Sequence, residues 1–302
     1  MDLKISVVIA TKGRPDSLQA CLRSISEQEV AAMEVIIVDQ THQPTEQETL
    51  QSVLGVSSAS PRLIYHWDPA ITGLPQARNV GVRLSSGDFI QFIDDDAALD
   101  KEYFVHLLPI FGDPFVGGGA GLIIEMGKEK RRLLRNLFFR LFYVGGFRED
   151  RTEVLLSPPS SRVVMHTLSG CGLYRRQIFD EFKFDEILIG HAIGEDLDFS
   201  YRVSQKWILI LDPQALLYHY RLPGPWRNQR QSIFEKVLFY HYHFRKNMRG
   251  TFAEWLAFAW LNFGFLLDAF TYLNLDAIAG VFVGWRQIFE RGIRFRPDPI
   301  KK

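Results

Sequence analysis

The chain has 302 residues, 47% of them hydrophobic and 23% charged, and its 35 basic and 35 acidic side chains cancel to a net charge of zero. That balance excludes a disordered polypeptide and supplies no global field to recruit nucleic acid, so a charged partner has to be met by a local patch. Two cysteines, Cys21 and Cys171, are too few for a disulfide framework and fit a reducing compartment.

The N-terminal MDLKISVVIATKGRPD carries an apolar run too short for a secretory signal, so we expect a cytoplasmic protein. ISVVIAT (5–11) is rich in β-branched residues and predicts a strand buried on both faces. PDSLQACLRSISEQ follows with Leu18, Leu22 and Ile25 on one helical face. EVIIVD (34–39), RLIYHW (62–67) and DFIQFID (88–94) predict further strands, and LPQARNVGVRLSS (74–86) a second helix. Strands alternating with helices imply parallel pairing with right-handed crossovers. Ligands of such sheets gather beyond the carboxyl ends of the strands, where Thr11, Asp39 and Asp94 stand. After residue 115 the pattern loosens: VGGGAGLIIE and WILILD (207–212) read as strands, VVMHTLSGCGLYRR (163–176) has strand character, and GEDLDFSYRVSQK (194–206) reads as a helix. From Trp226 the pattern is helical and dense in aromatics.

Asp94, Asp95 and Asp96 stand in a row at the end of an apolar strand, where like charges a few ångströms apart repel by roughly a few kcal/mol. Strand alternation would turn Asp94 and Asp96 to one face and Asp95 away. Two hard oxygen ligands suit Mg²⁺ or Mn²⁺, which draws the rest of its shell from phosphate and water. A solvated turn in which one of these acids caps the next helix is the plainer alternative. Glu195 and Asp196 open a helix, whose unpaired N–H groups and dipole favour carboxylates. Gly170 and Gly172 flank Cys171 and let backbone approach a ligand; Cys171 itself has the pattern of a small buried thiol. His241 and His243 lack an acid or cysteine to complete a zinc set and are expected to pack on a helix.

ISVVIATKGRP, EVIIVDQ, GLPQARNVGV, GDFIQFIDDDA, SGCGLYRRQIF and GEDLDFSYRV together resemble the family 2 glycosyltransferases of the GT-A fold, in the family's order from about residue 4 to residue 220. The resemblance implies an α/β fold in which helices flank a mixed sheet, and the helical, aromatic-rich pattern beyond its reach reads as an extension. It divides the chain into a catalytic domain at 1–222, with a nucleotide-sugar half to about 115 and an acceptor half at 116–222, and an extension at 223–302. Carried over by position, Thr11 and Arg14 would lie under the nucleotide and Asp39 would accept a hydrogen bond from the base. Gln40 and Thr41 depart from the acid or serine usual after that position, which leaves the base open. Arg78 would face the diphosphate and Asn79 would tie a loop to its helix. Asp94 would touch ribose or metal, Asp95 would join the donor site, Asp96 would hold the metal, and His219 would complete the metal shell. Gly170, Gly172 and Glu195 would line the acceptor side, with Asp196 as the general base.

Lys128, Lys130, Arg131, Arg132, Arg135 and Arg140 alternate with leucines and phenylalanines, the pattern of a helix lying in a membrane interface. The longest uncharged run, Trp255 to Leu267, is about 13 residues, short of the roughly 20 needed to span a bilayer. We expect peripheral attachment to the inner membrane face through 128–148 and 252–289; a homodimer contact is the other use of such a surface.

The expected function is inverting, metal-dependent transfer of a sugar from a nucleotide-diphosphate donor to a hydroxyl of a glycan or lipid-linked acceptor, in polysaccharide or glycolipid assembly, with Mg²⁺ or Mn²⁺ as cofactor. Two rivals stay open. A sugar-phosphate nucleotidyltransferase would carry a Gly-rich basic loop after the first strand, where TKGRPDS has one glycine. A catalytically inactive binding protein could keep every fold-bearing residue.

Overall fold

Thr11, Asp39 and Asp94 end neighbouring parallel strands on adjacent rungs, because the pairing sets Thr11 beside Asp39 and Ala10 beside Asp94. The computed structural model describes residues 3–55, 60–126, 138, 140–148, 150, 153–154, 157–188, 193–220, 229–271 and 275–291. They fall into two compact units. The first comprises Met1–Glu129, Ser157–Glu186 and Glu195–Leu222, and the second Lys130–Leu156, Ile187–Gly194 and Pro223–Lys302.

The first unit is built on one nine-stranded sheet. Its parallel half is β1 (Ile5–Thr11), β2 (Glu34–Asp39), β3 (Arg62–Trp67) and β4 (Phe89–Asp94), in the order β3-β2-β1-β4. The β-branched runs of β1 and β2 are buried on both faces, as parallel strands covered by crossover helices must be. Among the described residues those helices are α1 (Pro15–Ser26), α2 (Gln47–Leu54) and α3 (Leu74–Leu84). α3 sits close on β1: a Cβ at Gly81 would overlap Val8 Cγ1, so only a glycine lets the helix approach this far.

Beyond β4 the sheet turns mixed. β5 (Ala97–Leu99) and α4 (Tyr103–Leu107) lead to β6 (Val116–Glu125), and the short strands β7 (Val163–Met165) and β8 (Leu173–Arg175) complete the middle, β8 pairing antiparallel with both β4 and β6. The short α5 (Ile178–Glu181) and then α6 (Glu195–Ser204) precede β9 (Ile208–His219). The strand expected at 207–212 therefore runs on to His219. The register against β6 jumps from Asp212 to Leu216, so Pro213, which donates no backbone hydrogen bond, sits in a bulge rather than ending the strand. This extension places His219 opposite Ala97, next to the aspartate triplet.

Phe199 seats α6 on the sheet. It is fully buried and stacks on Phe184 at 4.2 Å and Phe179 at 5.5 Å, with Tyr174 edge-on at 5.2 Å.

The second unit holds α7 (Gln229–Asn247), α8 (Phe252–Thr271), α9 (Leu275–Arg291) and a 3₁₀ turn at Gly145–Phe147. α9 packs along α7, and the fully buried Phe147 nests against Tyr240, Phe244 and Phe258. His243 is a core residue: its Nε2 donates to the Gly146 carbonyl at 3.2 Å, and its Nδ1 accepts from Asn247 Nδ2 at 2.9 Å. Of the segments expected to touch a membrane, 128–137, 139 and 272–274 lie outside the described residues. No helix among the described residues is long and apolar enough to cross a membrane.

Truncating the ring that seats α6 tests this packing. Phe199→Ala should lower unfolding free energy by about 3–5 kcal/mol, read from the urea midpoint at constant slope; a loss under about 1 kcal/mol would mean that α6 is held by other contacts.

Candidate active site

The acid triplet straddles the end of β4. Asp94 is the last strand residue, and Asp95 and Asp96 lie in the turn before β5, so turn geometry rather than strand alternation directs them. Each meets a partner from the chain itself. Thr11 Oγ1 donates to Asp95 Oδ2 at 2.8 Å, and Arg14 Nη1 donates to Asp95 Oδ1 at 3.2 Å and Asp96 Oδ2 at 3.0 Å. Arg78 Nη2 donates to Asp94 Oδ1 at 3.2 Å, and His219 Nε2 lies 3.0 Å from Asp96 Oδ1 and 3.9 Å from Asp94 Oδ2. Two arginines and a histidine thus answer the repulsion that the sequence sets up.

The three carboxyls are not equivalent. Burial pushes Asp95 up to about 6, against the hydrogen bond from Thr11 and the charge of Arg14. Burial acts on Asp96 in the same sense, but the His219 hydrogen bond and charge, with Arg14, outweigh it and hold the group below the usual range. The Asp94 side chain is the open one, 35% exposed against 8% for Asp95 and 10% for Asp96. One oxygen each of Asp94 and Asp96 and one nitrogen of His219 lie within 4.8 Å of one another. Two carboxylate oxygens and an imidazole nitrogen at that spacing fit a small divalent cation such as Mn²⁺. His219 Nδ1 is buried and finds no partner among the described residues.

Arg78 joins this cluster to the second acid pair. Its guanidinium is buried, with Nη1 donating to Glu195 Oε1 at 2.6 Å while Nη2 reaches Asp94, and its plane lies over Phe92 and Phe184. Burial works against its charge, but Glu195, Asp94 and Asp196 more than compensate and keep it protonated well beyond the ordinary arginine value. Burial pushes the Glu195 carboxyl up to about 8 against the pull of Arg78, and its Oε2 finds no partner among the described residues. Asp196 is half-buried beside it, and its Oδ1 accepts from the Leu197 N–H at 2.9 Å at the opening of α6.

Gly170 backs onto the guanidinium: a Cβ there would stand 2.6 Å from Arg78 Nη2. Gly172 lies one step away, its carbonyl accepting from the Phe92 N–H at 2.9 Å. Cys171 and Cys21 are buried and not joined in a disulfide. Asn79 ties α3 to the 184–186 segment: Nδ2 donates to the Phe184 carbonyl and to Glu186 Oε1, both at 2.9 Å, and Oδ1 accepts from the Phe184 N–H at 3.0 Å.

Asp39 lies on the same rim with its own donors. The Thr41 N–H and hydroxyl, the Thr45 hydroxyl and the Tyr65 hydroxyl all bond its carboxylate at 2.6–2.9 Å. Burial alone would raise this group, but those bonds hold it below the usual range. Its four lone-pair positions are filled, so a further donor would have to displace one of the four. Tyr65, Thr45, Phe184 and Glu186 were not among the expected site residues. Only Tyr65 left a sequence signal, two positions before Trp67, which pairs with Asp39, and so on the same face of β3; the others come from loops with no periodic pattern.

Residues 6–182, more than half of the chain, match the family model described as glycosyl transferase family 2. The chain belongs to that family. Among curated relatives, the glycosyltransferase GlyA of Streptococcus pneumoniae serotype 4 is 24% identical over 232 residues, covering 74% of this chain and 31% of the relative. An N-acetylglucosaminyltransferase of Bradyrhizobium diazoefficiens is 26% identical over 163 residues, 54% of this chain and 32% of the relative. The chain thus spans about a third of the length of these two relatives. Among solved structures, S. aureus TarS 1-349 in complex with UDP-GlcNAc superposes with a TM-score of 0.56 at 14% identity, covering 98% of each chain, a likeness of fold. The GT-A-like mixed sheet with flanking helices is therefore the family's own.

The raised Glu195 carboxyl has a signature in stability. Because its value moves from the ordinary 4.5 to about 8 on folding, the folded chain binds the extra proton between those limits, and stability falls as pH rises through them. Glu195→Gln should remove that component: the loss of unfolding free energy between about pH 5 and pH 8 should be smaller in the variant than in the wild type. Identical pH profiles in urea titrations would show that Glu195 titrates alike in both states.

Proposed function

We propose that the chain is an inverting glycosyltransferase that moves a sugar from a nucleoside-diphosphate donor to a hydroxyl of a glycan or lipid-linked acceptor. The observation that carries this reading is the double contact of Arg78, which links the Asp94, Asp96 and His219 cluster to the Glu195 and Asp196 pair in one compact unit. Membership of the family supports the transferase class, and the UDP-GlcNAc bound by TarS makes UDP a sensible probe of the donor site.

In this mechanism Asp94, Asp96 and His219 hold Mg²⁺ or Mn²⁺, which when bound supplies Lewis-acid neutralisation of the diphosphate leaving group. Thr11 and Arg14 brace Asp95 and Asp96 so that the turn keeps its shape as charge changes above it. Asp39 takes the base, whose N–H replaces one of the two threonine hydroxyls. Asp196 accepts the proton of the acceptor hydroxyl while that oxygen bonds to the anomeric carbon from the face opposite the departing phosphate oxygen. One displacement breaks one carbon–oxygen bond, makes another and inverts the centre. Glu195, pinned by Arg78, orients the start of α6, and Gly170 lets the Arg78 guanidinium sit against the backbone. A positioned base contributes roughly 10²–10⁴ in rate, and interactions realised only as charge develops on the leaving group contribute to turnover rather than to donor affinity.

Asp196→Asn should therefore bind UDP as the wild type does, by calorimetry, while losing about 10²–10⁴ in transfer rate; near-normal turnover would remove Asp196 from this role. Asp96→Ala should abolish the Mn²⁺-dependent part of the thermal shift produced by UDP, whereas an undiminished shift would place the cation elsewhere. An absence of UDP release from any donor sugar, with the Mn²⁺-dependent shift intact, would favour a binding protein over an enzyme.

A further inference from the structure

α8 is largely apolar yet covered on one side only. Leu261, Phe265 and Ala269 are buried, whereas Phe252, Leu256, Trp260, Phe263, Leu267 and Phe270 are 43–79% exposed. At about 100° per residue those six fall within an arc of roughly 80°. Its two carboxylates, Glu254 and Asp268, lie on the other side of the helix. A contiguous exposed stripe of this kind on one element marks a surface that something covers.

Charge identifies what covers it. Arg245, Lys246 and Arg249 are exposed and lie within seven residues of Phe252, at the end where α8 begins. In the sequence, Lys128, Lys130, Arg131, Arg132 and Arg135 stand against one acid, Glu129, shortly before Phe138. The described residues that follow them meet the stripe: Phe142 stacks on Trp260 at 5.0 Å, and Trp260 Nε1 donates to the Leu141 carbonyl at 2.6 Å. A second copy of the chain would bring the same cations with it, while a layer of anionic headgroups would neutralise them. Tryptophan and phenylalanine on one side with lysine and arginine at the margin is the composition of an element lying in a bilayer interface.

We propose that α8 docks the protein on an anionic lipid surface, with its exposed aromatic stripe at the boundary between headgroups and acyl chains and its basic margin on the phosphates. The helix lies on the bilayer without crossing it, consistent with its length and polarity. This inference is independent of the transfer chemistry and holds whether or not the site turns over.

Cosedimentation of the full chain with vesicles tests it. The wild type should bind vesicles of phosphatidylcholine mixed with phosphatidylglycerol about tenfold or more tightly than vesicles of phosphatidylcholine alone, and added salt should weaken that binding. Leu256→Glu with Phe270→Glu replaces two side chains more than half exposed, so its circular dichroism and thermal midpoint should match the wild type while vesicle binding falls about tenfold or more. Arg245→Gln with Lys246→Gln and Arg249→Gln should lose the preference for the anionic vesicles. Wild-type protein that stays in the supernatant with both vesicle types would overturn the proposal, as would full binding by the folded Glu double variant. A concentration-dependent dimer that the double variant abolishes, with no vesicle binding by the wild type, would assign the stripe to a second copy instead.

Discussion

A single buried guanidinium holds the candidate site together. Arg78 arrives on α3, takes Asp94 from the end of β4 on one side and Glu195 from the start of α6 on the other, and rests against the edge-to-face pair of Phe92 and Phe184. Removing one partner of such a buried pair leaves an uncompensated charge at a cost of about 3–5 kcal/mol. The three positions are therefore energetically one object although 117 residues separate Arg78 from Glu195. The same helix turn carries Asn79, whose amide grips the 184–186 segment with both its donor and its acceptor. Consecutive residues of α3 thus set the acid-bearing strand end and the chain that leads toward α6.

The aspartate triplet shows how one stretch can hold three unlike carboxylates. Asp95 faces inward to Thr11 and Arg14 and acts as a brace. Asp96 shares Arg14 with it but also meets His219, and Asp94 keeps the widest opening to solvent. Environments that drive neighbouring carboxyls apart, one up to about 6 and one below its usual range, separate structural from ligand-facing roles. The cost of crowding is met by cations of the protein in the first instance, and the Asp94, Asp96 and His219 face is what remains to offer a metal.

Much of this was legible in the residues, for reasons that differ along the chain. β1, β2 and β4 announce themselves through β-branched and aromatic runs buried on both faces, and the parallel order then forces Thr11, Asp39 and Asp94 onto one rim. The resemblance to family 2 supplied what pattern could not, the expectation that His219 and the Glu195 and Asp196 pair belong with that rim. Pairings across long sequence separations stayed hidden: nothing local in Asn79 points to Glu186, and nothing in Arg78 says that its partners are Asp94 and Glu195. The continuity of β9 past residue 212 was also hidden, since Pro213, which donates no backbone hydrogen bond, is absorbed as a bulge within the strand. Asp39 was placed correctly on its strand, but the hydroxyls of Thr41, Thr45 and Tyr65 that saturate it lie outside any periodic pattern.

Gly170 leaves a mark of a different kind. Because its α-carbon hydrogen is all that separates the backbone from the Arg78 fork, a mutation adding even a methyl group would press on a side chain with no spare direction to move. A larger residue at 170 would fit only if Arg78 shifted or shortened, and with it would go the tie between Asp94 and Glu195.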